Sequence, residues 1–288
     1  MSPPGRPKGE YRSAQHEGGP VSPPGRPKGG YRSAQHEGSP SAAPIAAAPA
    51  DPRAGPPRRF VVGAVAFDLD GTLLDTVRDL AAAVNLLLAD LGLAPLPEAT
   101  IRDLVGKGIA NLVGRALAIA RGVAPAAVDE AEVAAVLPRY QVHYAATLGR
   151  ETAVFPGVVE GLERMAAMGL PLAVITNKAS RFVRPHLAQA GIETYFRVVI
   201  GGDDLPVKKP HPGALLHAAR ELGVEPAQLL MVGDSGNDAQ AARAAGCPVL
   251  IVPYGYNEGT PVQNLDADGI VDSLLAVADL LQPVPTDR

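Results

Sequence analysis

Phe67–Thr76 reads F-D-L-D-G-T-L-L-D-T, and the fold is decided by what leads into it. The residues before it, Phe60 to Phe67 (F-V-V-G-A-V-A-F), are apolar and rich in valine. A short apolar run that ends in a glycine turn reads as a buried strand feeding a loop. In open parallel sheets, chemistry collects in the loops at the carboxyl ends of the strands. Asp68 and Asp70 then stand at one sheet edge, near enough to share a cation. Two carboxylates in an apolar setting are costly unless a positive charge compensates them.

Beyond this stretch the pattern changes twice. From Val77 to Thr152 nothing reads as a strand. Apolar residues recur at helical spacing through Arg78–Leu91, Glu98–Val105, Ile109–Arg121 and Ala126–Leu148, and Pro138 is expected to kink or divide the last run. From Gly157 onward, helices alternate with short strands at Leu170–Thr176, Phe196–Ile200, Leu229–Val232, Val249–Val252 and Gly269–Val271. Strands separated by helices argue for βαβ units. The expected fold class is therefore α/β: a doubly wound parallel sheet, a Rossmann-like core built from residues 60–76 and 153–288, with an all-helical domain inserted at 77–152.

Composition narrows the function. The net charge is −4, but residues 1–59 carry nine Lys and Arg against four Asp and Glu, leaving 17 against 26 in residues 60–288. An acidic folded part offers no bulk nucleic-acid surface and suits a protein that holds a divalent cation. The single Cys247 rules out an internal disulfide and reads as a small buried hydrophobe. No stretch is apolar enough to span a membrane and no secretory segment opens the chain, so the expected location is the cytoplasm.

Residues 1–59 are a separate matter. Ser2–Pro20 recurs at Ser22–Pro40 with changes only at Glu10/Gly30 and Gly19/Ser39, and a Pro/Ala-rich stretch follows. Such a composition buries too little apolar surface to offset its ordering entropy, and the expectation is a disordered tail. The near-exact duplication reads as copied upstream DNA translated from a start codon set too early. G-R-P-K resembles the core of a minor-groove AT-hook, but Pro4 and Pro24 stand where the hook has arginine.

Four strand tips remain. The first supplies Asp68, Asp70, Gly71 and Thr72; the second Thr176, Asn177 and Lys178; the third Lys208-Lys209-Pro210, ahead of a helix; the fourth Gly233-Asp234-Ser235-Gly236-Asn237-Asp238. Each alone is a common loop, helix cap or solvated turn. In this order, each at a strand tip or before a helix, they converge on one site.

D-L-D-G-T, T-N, K-K-P and G-D-S-x-x-D together resemble the four motifs of the haloacid dehalogenase-like phosphatases, over residues 60–283. The helical insert resembles that superfamily's C1-type cap. Within the superfamily, Asp79–Asn85, Val105–Gly108, V-I-T-N-K and V-K-K-P-H-P are similar to bacterial phosphoglycolate phosphatases. The resemblance implies a small phosphorylated substrate, here 2-phosphoglycolate, and Mg²⁺ bound by Asp68, the Asp70 main-chain carbonyl and Asp234. It implies Asp68 as nucleophile, Asp70 as acid and then base, Lys209 neutralising charge, and Thr176 and Asn177 hydrogen-bonding the phosphoryl oxygens. Gly71 and Thr72 complete the cradle, and Asp238 orients Lys209 or a metal-bound water. Lys107, the insert's only lysine and held between two glycines, is expected to pair with the substrate carboxylate. Other readings stay open on the motifs alone: a different small phosphate ester, a phosphomutase, a pyrophosphatase, a phosphonate hydrolase, or a non-catalytic protein associated with DNA through the tail.

Overall fold

The structure, a computed structural model, describes residues 59–285. The expectations for the duplicated tail lie outside those residues, Arg59 apart.

Gly63 divides the first apolar run, which the sequence pattern treats as one strand. A Cβ there would meet Val224 Cγ1 at 2.8 Å, so the chain passes its neighbour too closely for a side chain. On one side lies β1 (Phe60–Val62), on the other β2 (Ala64–Phe67). The chain continues through β3 (Leu74–Asp75), helices α1 (Val77–Asp90), α2 (Glu98–Arg102), α3 (Ile109–Arg121) and α4 (Glu130–Thr147), then β4 (Ala153–Val154). After these come α5 (Val158–Ala167), β5 (Leu172–Ile175), α6 (Ser180–Gln189), β6 (Phe196–Ile200), α7 (Gly213–Leu222), β7 (Leu229–Gly233) and α8 (Gly236–Ala245). The last elements are β8 (Val249–Ile251), β9 (Gly269–Ile270), α9 (Leu274–Asp279) and β10 (Leu281–Pro283).

The main sheet is six-stranded and parallel, in the order β6-β5-β2-β7-β8-β9. After β2 the chain builds outward through β5 and β6, then crosses back to add β7 on the other flank. The order therefore reverses between β2 and β7, and the crevice above that point is where an open α/β sheet binds its ligand. Asp68 follows β2, and Asp234 follows β7.

Strand alternation sorts the core into two layers. Val65 and Phe67 face a cluster with Val158, Leu162 and Met165 of α5 and Leu274 and Val277 of α9. Ala64 and Ala66 face the other way, toward Leu215 and Ala218 of α7 and Ala241 and Ala242 of α8. Alanines on both sides of that second interface let the helices approach closely without any aromatic filler. All of these side chains are buried, as is Cys247.

The helices from Val77 to Thr147 gather around their own apolar cluster, which includes Leu80, Leu87, Leu117, Tyr140 and Tyr144. Pro138 does not divide α4, which runs unbroken through it. A proline removes one helical hydrogen bond, and packing on α1 through the buried Tyr140 and Tyr144 holds the two halves in line. Two small pairings have no counterpart in the sequence pattern: β1 with β10 in parallel, and β3 with β4 antiparallel, a two-residue ribbon where the helical insert leaves and rejoins the sheet. Among the described residues no helix is long and apolar enough to cross a membrane.

Candidate active site

β2 delivers Asp68, whose amide donates to the Val232 carbonyl of β7 at 3.0 Å. The chain then turns tightly. Gly71 has φ of 93°, and a Cβ there would lie 2.4 Å from Asp234 Oδ2, so the turn admits only glycine. This lets Thr72 reach across, its hydroxyl donating to Asp234 Oδ1 at 2.8 Å. The other Asp234 oxygen accepts the Tyr256 amide at 2.5 Å. Both oxygens of Asp234 are thus fixed, by Thr72 and by Tyr256, from chain segments more than 150 residues apart.

Lys209, from the loop ahead of α7, is 3% exposed and enters between two acids. Its ammonium lies 3.0 Å from Asp68 Oδ1 and donates to Asp238 Oδ1 at 2.6 Å. The remaining Asp238 oxygen accepts from the Ser235 hydroxyl at 2.7 Å and the Ser235 amide at 3.1 Å, closing a capping box at the start of α8. Asp238 therefore holds Lys209 in place, and its acceptor capacity is spent on doing so. Lys208 projects away and donates to the Lys107 carbonyl at 2.9 Å.

The charges are unbalanced. Burial pushes the Asp68 carboxyl up, Lys209 pulls it down and Asp238 pushes it up again, leaving it at about 6. Burial raises Asp234 well above the usual carboxylate range, and the negative charges of Asp238 and Asp68 add to this. For Lys209, burial opposes the charge, but Asp238 and Asp68 more than offset it and hold the ammonium above its ordinary range. Ligand oxygens of Asp68, Asp234 and Asp238 lie within 4.8 Å of one another. With Asp238 committed to Lys209, one ammonium faces three carboxylates. Hard oxygen donors carrying surplus negative charge in a buried crevice fit a divalent cation such as Mg²⁺.

Asp70 points elsewhere. Lys178 Nζ donates to its two oxygens at 3.0 and 3.2 Å, and Lys178 also donates to the Tyr144 hydroxyl of α4. Burial works to raise the Asp70 carboxyl, yet Lys178 and then His186 hold it below the usual range. Sequence reasoning quoted Lys178 in its motif but gave it no role. The signal available was its place directly after Thr176-Asn177 at a strand tip. Thr176 is buried, its hydroxyl accepting the Lys178 amide at 3.2 Å. Asn177 donates to the carbonyls of Gly106 and Lys209, both at 2.9 Å. Those two bonds tie the insert's Gly106 loop to the sheet edge.

That loop closes the site. The cavity over Asp68, walled by Asp70, Thr176, Tyr144, Val105, Ile109 and Lys178, has a volume of about 30 Å³, room for about two water molecules. Lys107 is not among its lining residues. Its ammonium pairs with Glu258 Oε2 at 2.7 Å, on the rim of a neighbouring cleft of about 580 Å³. In this structure its anion is Glu258, supplied by the core loop after β8. Arg115 lies 3.8 Å from the other Glu258 oxygen. His143 is bound to Asp90 and His211 to the Gly213 amide, both away from the cavity.

Two crossings join the insert to the sheet. At the first, Tyr256 uses its hydroxyl to accept the Thr76 amide at 2.7 Å and the Val77 amide at 3.0 Å while donating to Asp75. At the second, Asp79 accepts from Gly149, Glu151 and Thr152, and the Thr152 hydroxyl meets His186 Nε2 at 2.8 Å. Burial is the main reason that His186 titrates low, at about 4.

Residues 62–246 match a family model described as haloacid dehalogenase-like hydrolase. Among curated proteins, a phosphoglycolate phosphatase of Thiobacillus denitrificans is 50% identical over 218 residues, 75% of this chain and 94% of that protein. One from Nitrosospira multiformis is 49% identical over 221 residues, 77% of this chain and 96% of its own. A crystal structure titled as a predicted phosphoglycolate phosphatase from Haemophilus somnus is 34% identical and superposes with a TM-score of 0.71, covering 76% of this chain and 97% of that one.

Proposed function

The chain belongs to the haloacid dehalogenase-like hydrolases, and from that premise we propose that it is a Mg²⁺-dependent phosphatase converting 2-phosphoglycolate to glycolate and phosphate. The observation that carries this reading is the Lys209 ammonium set between Asp68 and Asp238 beside Asp234, at the point where the strand order reverses. The substrate assignment is supported by relatives named phosphoglycolate phosphatase that share half of the aligned residues.

Asp68 is the nucleophile. One of its oxygens forms a bond to phosphorus as the bond from phosphorus to the glycolate oxygen breaks, giving an aspartyl-phosphate. Asp70 gives its proton to the departing oxygen, then takes one from the water that attacks phosphorus and frees Asp68. Lys209 neutralises charge spread over the equatorial oxygens, and the Thr176 hydroxyl, which keeps its proton free, holds them in line. Asn177, Thr72 and Gly71, whose donors serve Gly106, Lys209, Asp234 and Leu74, shape the cradle around them. Asp68, Asp234 and the Asp70 main-chain carbonyl would hold Mg²⁺, which supplies charge stabilisation at the phosphoryl group. Asp238 acts through Lys209. The helices from Val77 to Thr152 serve as a C1-type cap over the site. A cavity of about 30 Å³ is too small for a phosphate ester, so substrate entry requires the cap to move about the two crossings at Asp75–Val77 and 148–152.

The test is a panel of phosphate esters, including sugar phosphates and pyrophosphate, scored by kcat/KM with Mg²⁺ present. The expected result is the highest value for 2-phosphoglycolate and its loss in Asp68→Asn. A higher value for a sugar phosphate or for pyrophosphate would replace the substrate and keep the machinery; Mg²⁺-dependent turnover surviving in Asp68→Asn would remove both.

A further inference from the structure

Of the residues that line the cavity over Asp68, Lys178 alone carries a positive charge. The rest of the wall from the helical insert is apolar or uncharged, with Leu80, Val105, Ile109 and Leu112 prominent. Two cations of the insert, Lys107 and Arg115, both answer Glu258, which does not line this cavity. With Lys209 taken up by Asp68, Asp238 and the phosphoryl group, an anionic leaving group held here has Lys178 as its buried partner. A carboxylate brought into such a wall without a counter-charge would be strongly penalised.

The position of Lys178 fits that duty. Its side chain is 1% exposed, and its ammonium is bound to both oxygens of Asp70, the group that must meet the departing ester oxygen. In the phosphate ester of a 2-hydroxy acid, one carbon separates that oxygen from the carboxylate. Anything attached to the departing oxygen is thus delivered to the neighbourhood of Lys178. Tyr144 fixes the ammonium from the other side, accepting a hydrogen bond through its hydroxyl and placing its ring centroid 4.7 Å from Nζ. Tyr144 belongs to α4, so this contact forms only with the insert closed over the sheet.

We propose that Lys178, steadied by Tyr144, recognises the carboxylate of the leaving group and makes the enzyme selective for phosphate esters of small 2-hydroxy acids. When Asp70 turns to the ester oxygen, the substrate carboxylate takes over the Lys178 contact that Asp70 makes in the resting site. This rests on the phosphatase reading given above, and it moves recognition from the exposed Lys107 to a lysine contributed by the sheet edge.

The experiment compares kcat/KM for 2-phosphoglycolate and for ethyl phosphate, which has the same length without the charge, in the full-length protein with Mg²⁺. The ratio of the two is the readout, since a residue acting only by anchoring Asp70 would lower both substrates together. In Lys178→Met and Lys178→Gln the ratio is expected to fall by about tenfold to a hundredfold, the worth of one charge-assisted hydrogen bond. Tyr144→Phe, which removes one support of the ammonium, is expected to lower it several-fold and serves if neither lysine variant folds. A ratio unchanged in the folded variants overturns the assignment. Wild-type protein that fails to prefer 2-phosphoglycolate over ethyl phosphate overturns the underlying substrate reading, and that outcome is visible before any variant is made.

Discussion

Asp68→Asn is expected to abolish turnover and to stabilise the metal-free protein, and the size of the second effect follows from the site. The Asp68 carboxyl is held at about 6, against 3.8 for a free side chain, with burial as the main cause. A folded-state value above the unfolded one means that the native protein binds the extra proton between those two pH values. Stability is then fully present below pH 4 and is lost as pH rises through 6. One pKa unit corresponds to about 1.4 kcal/mol, so an ionised Asp68 costs the fold about 3 kcal/mol at neutral pH. The amide of asparagine keeps the shape and removes the charge. In EDTA the variant should exceed wild type by about 1–2 kcal/mol at pH 5 and about 3 kcal/mol at pH 7.5. For a folded body of this size the latter is a rise in Tm of about 6–12 °C. Relief of Asp234, which shares the same crevice, adds in the same direction. The assay is urea or thermal unfolding of both proteins across that pH range, with and without Mg²⁺, which should stabilise wild type and close much of the gap. A variant no more stable than wild type in EDTA at pH 7.5, or a gap that does not widen with pH, would refute the electrostatic account.

Lys209→Met leaves Asp68 and Asp238 buried without their shared cation, and a loss of about 3–5 kcal/mol in urea unfolding should accompany at least a thousandfold fall in kcat. Gly71→Ala forces a Cβ against Asp234 Oδ2 at a backbone angle that alanine resists; Mg²⁺-dependent thermal stabilisation should vanish, a result visible by calorimetry even if some fold survives. Lys107→Ala and Glu258→Gln each cut the same half-exposed pair, so a double-mutant cycle on stability should return a coupling of only about 0.2–1 kcal/mol.

Much of the fold was legible because its signals are local. Phe196–Ile200 and Ile109–Arg121 begin and end where their apolar periodicity does. The parallel order followed from helices alternating with strands. What escaped were features set by contacts across the chain. The break at Gly63 depends on Val224, a neighbour that no local window contains, and the β3–β4 ribbon has only two residues on each side. Tyr256 shows the same limit. Nothing around it in the sequence announces that its amide would hold Asp234 and its hydroxyl the first crossing into the insert.

The site divides along the same line. Asp68, Asp70, Lys209 and Asp234 could be picked out because each sits just after a strand or ahead of a helix, and Asp238 because it lies in the first turn of α8; secondary structure alone carries them to one edge. Their partners could not. The Gly106–Gly108 loop reaches the sheet edge, where its lysine meets Glu258, which arrives from beyond β8. The charge that remains inside the cavity is Lys178, paired with an acid 108 positions earlier. The two aspartates of the first strand tip are shifted in opposite directions, Asp68 up through burial and Asp70 down through Lys178. The proposed mechanism needs an ionised nucleophile beside a protonated acid, so Asp70 is the group whose state has to change. Two bound charges would favour that state: a divalent cation at Asp68 and Asp234 would keep the nucleophile ionised, and an anion that draws Lys178 away would free Asp70 to take a proton. A substrate carrying both phosphate and carboxylate can supply the second charge itself.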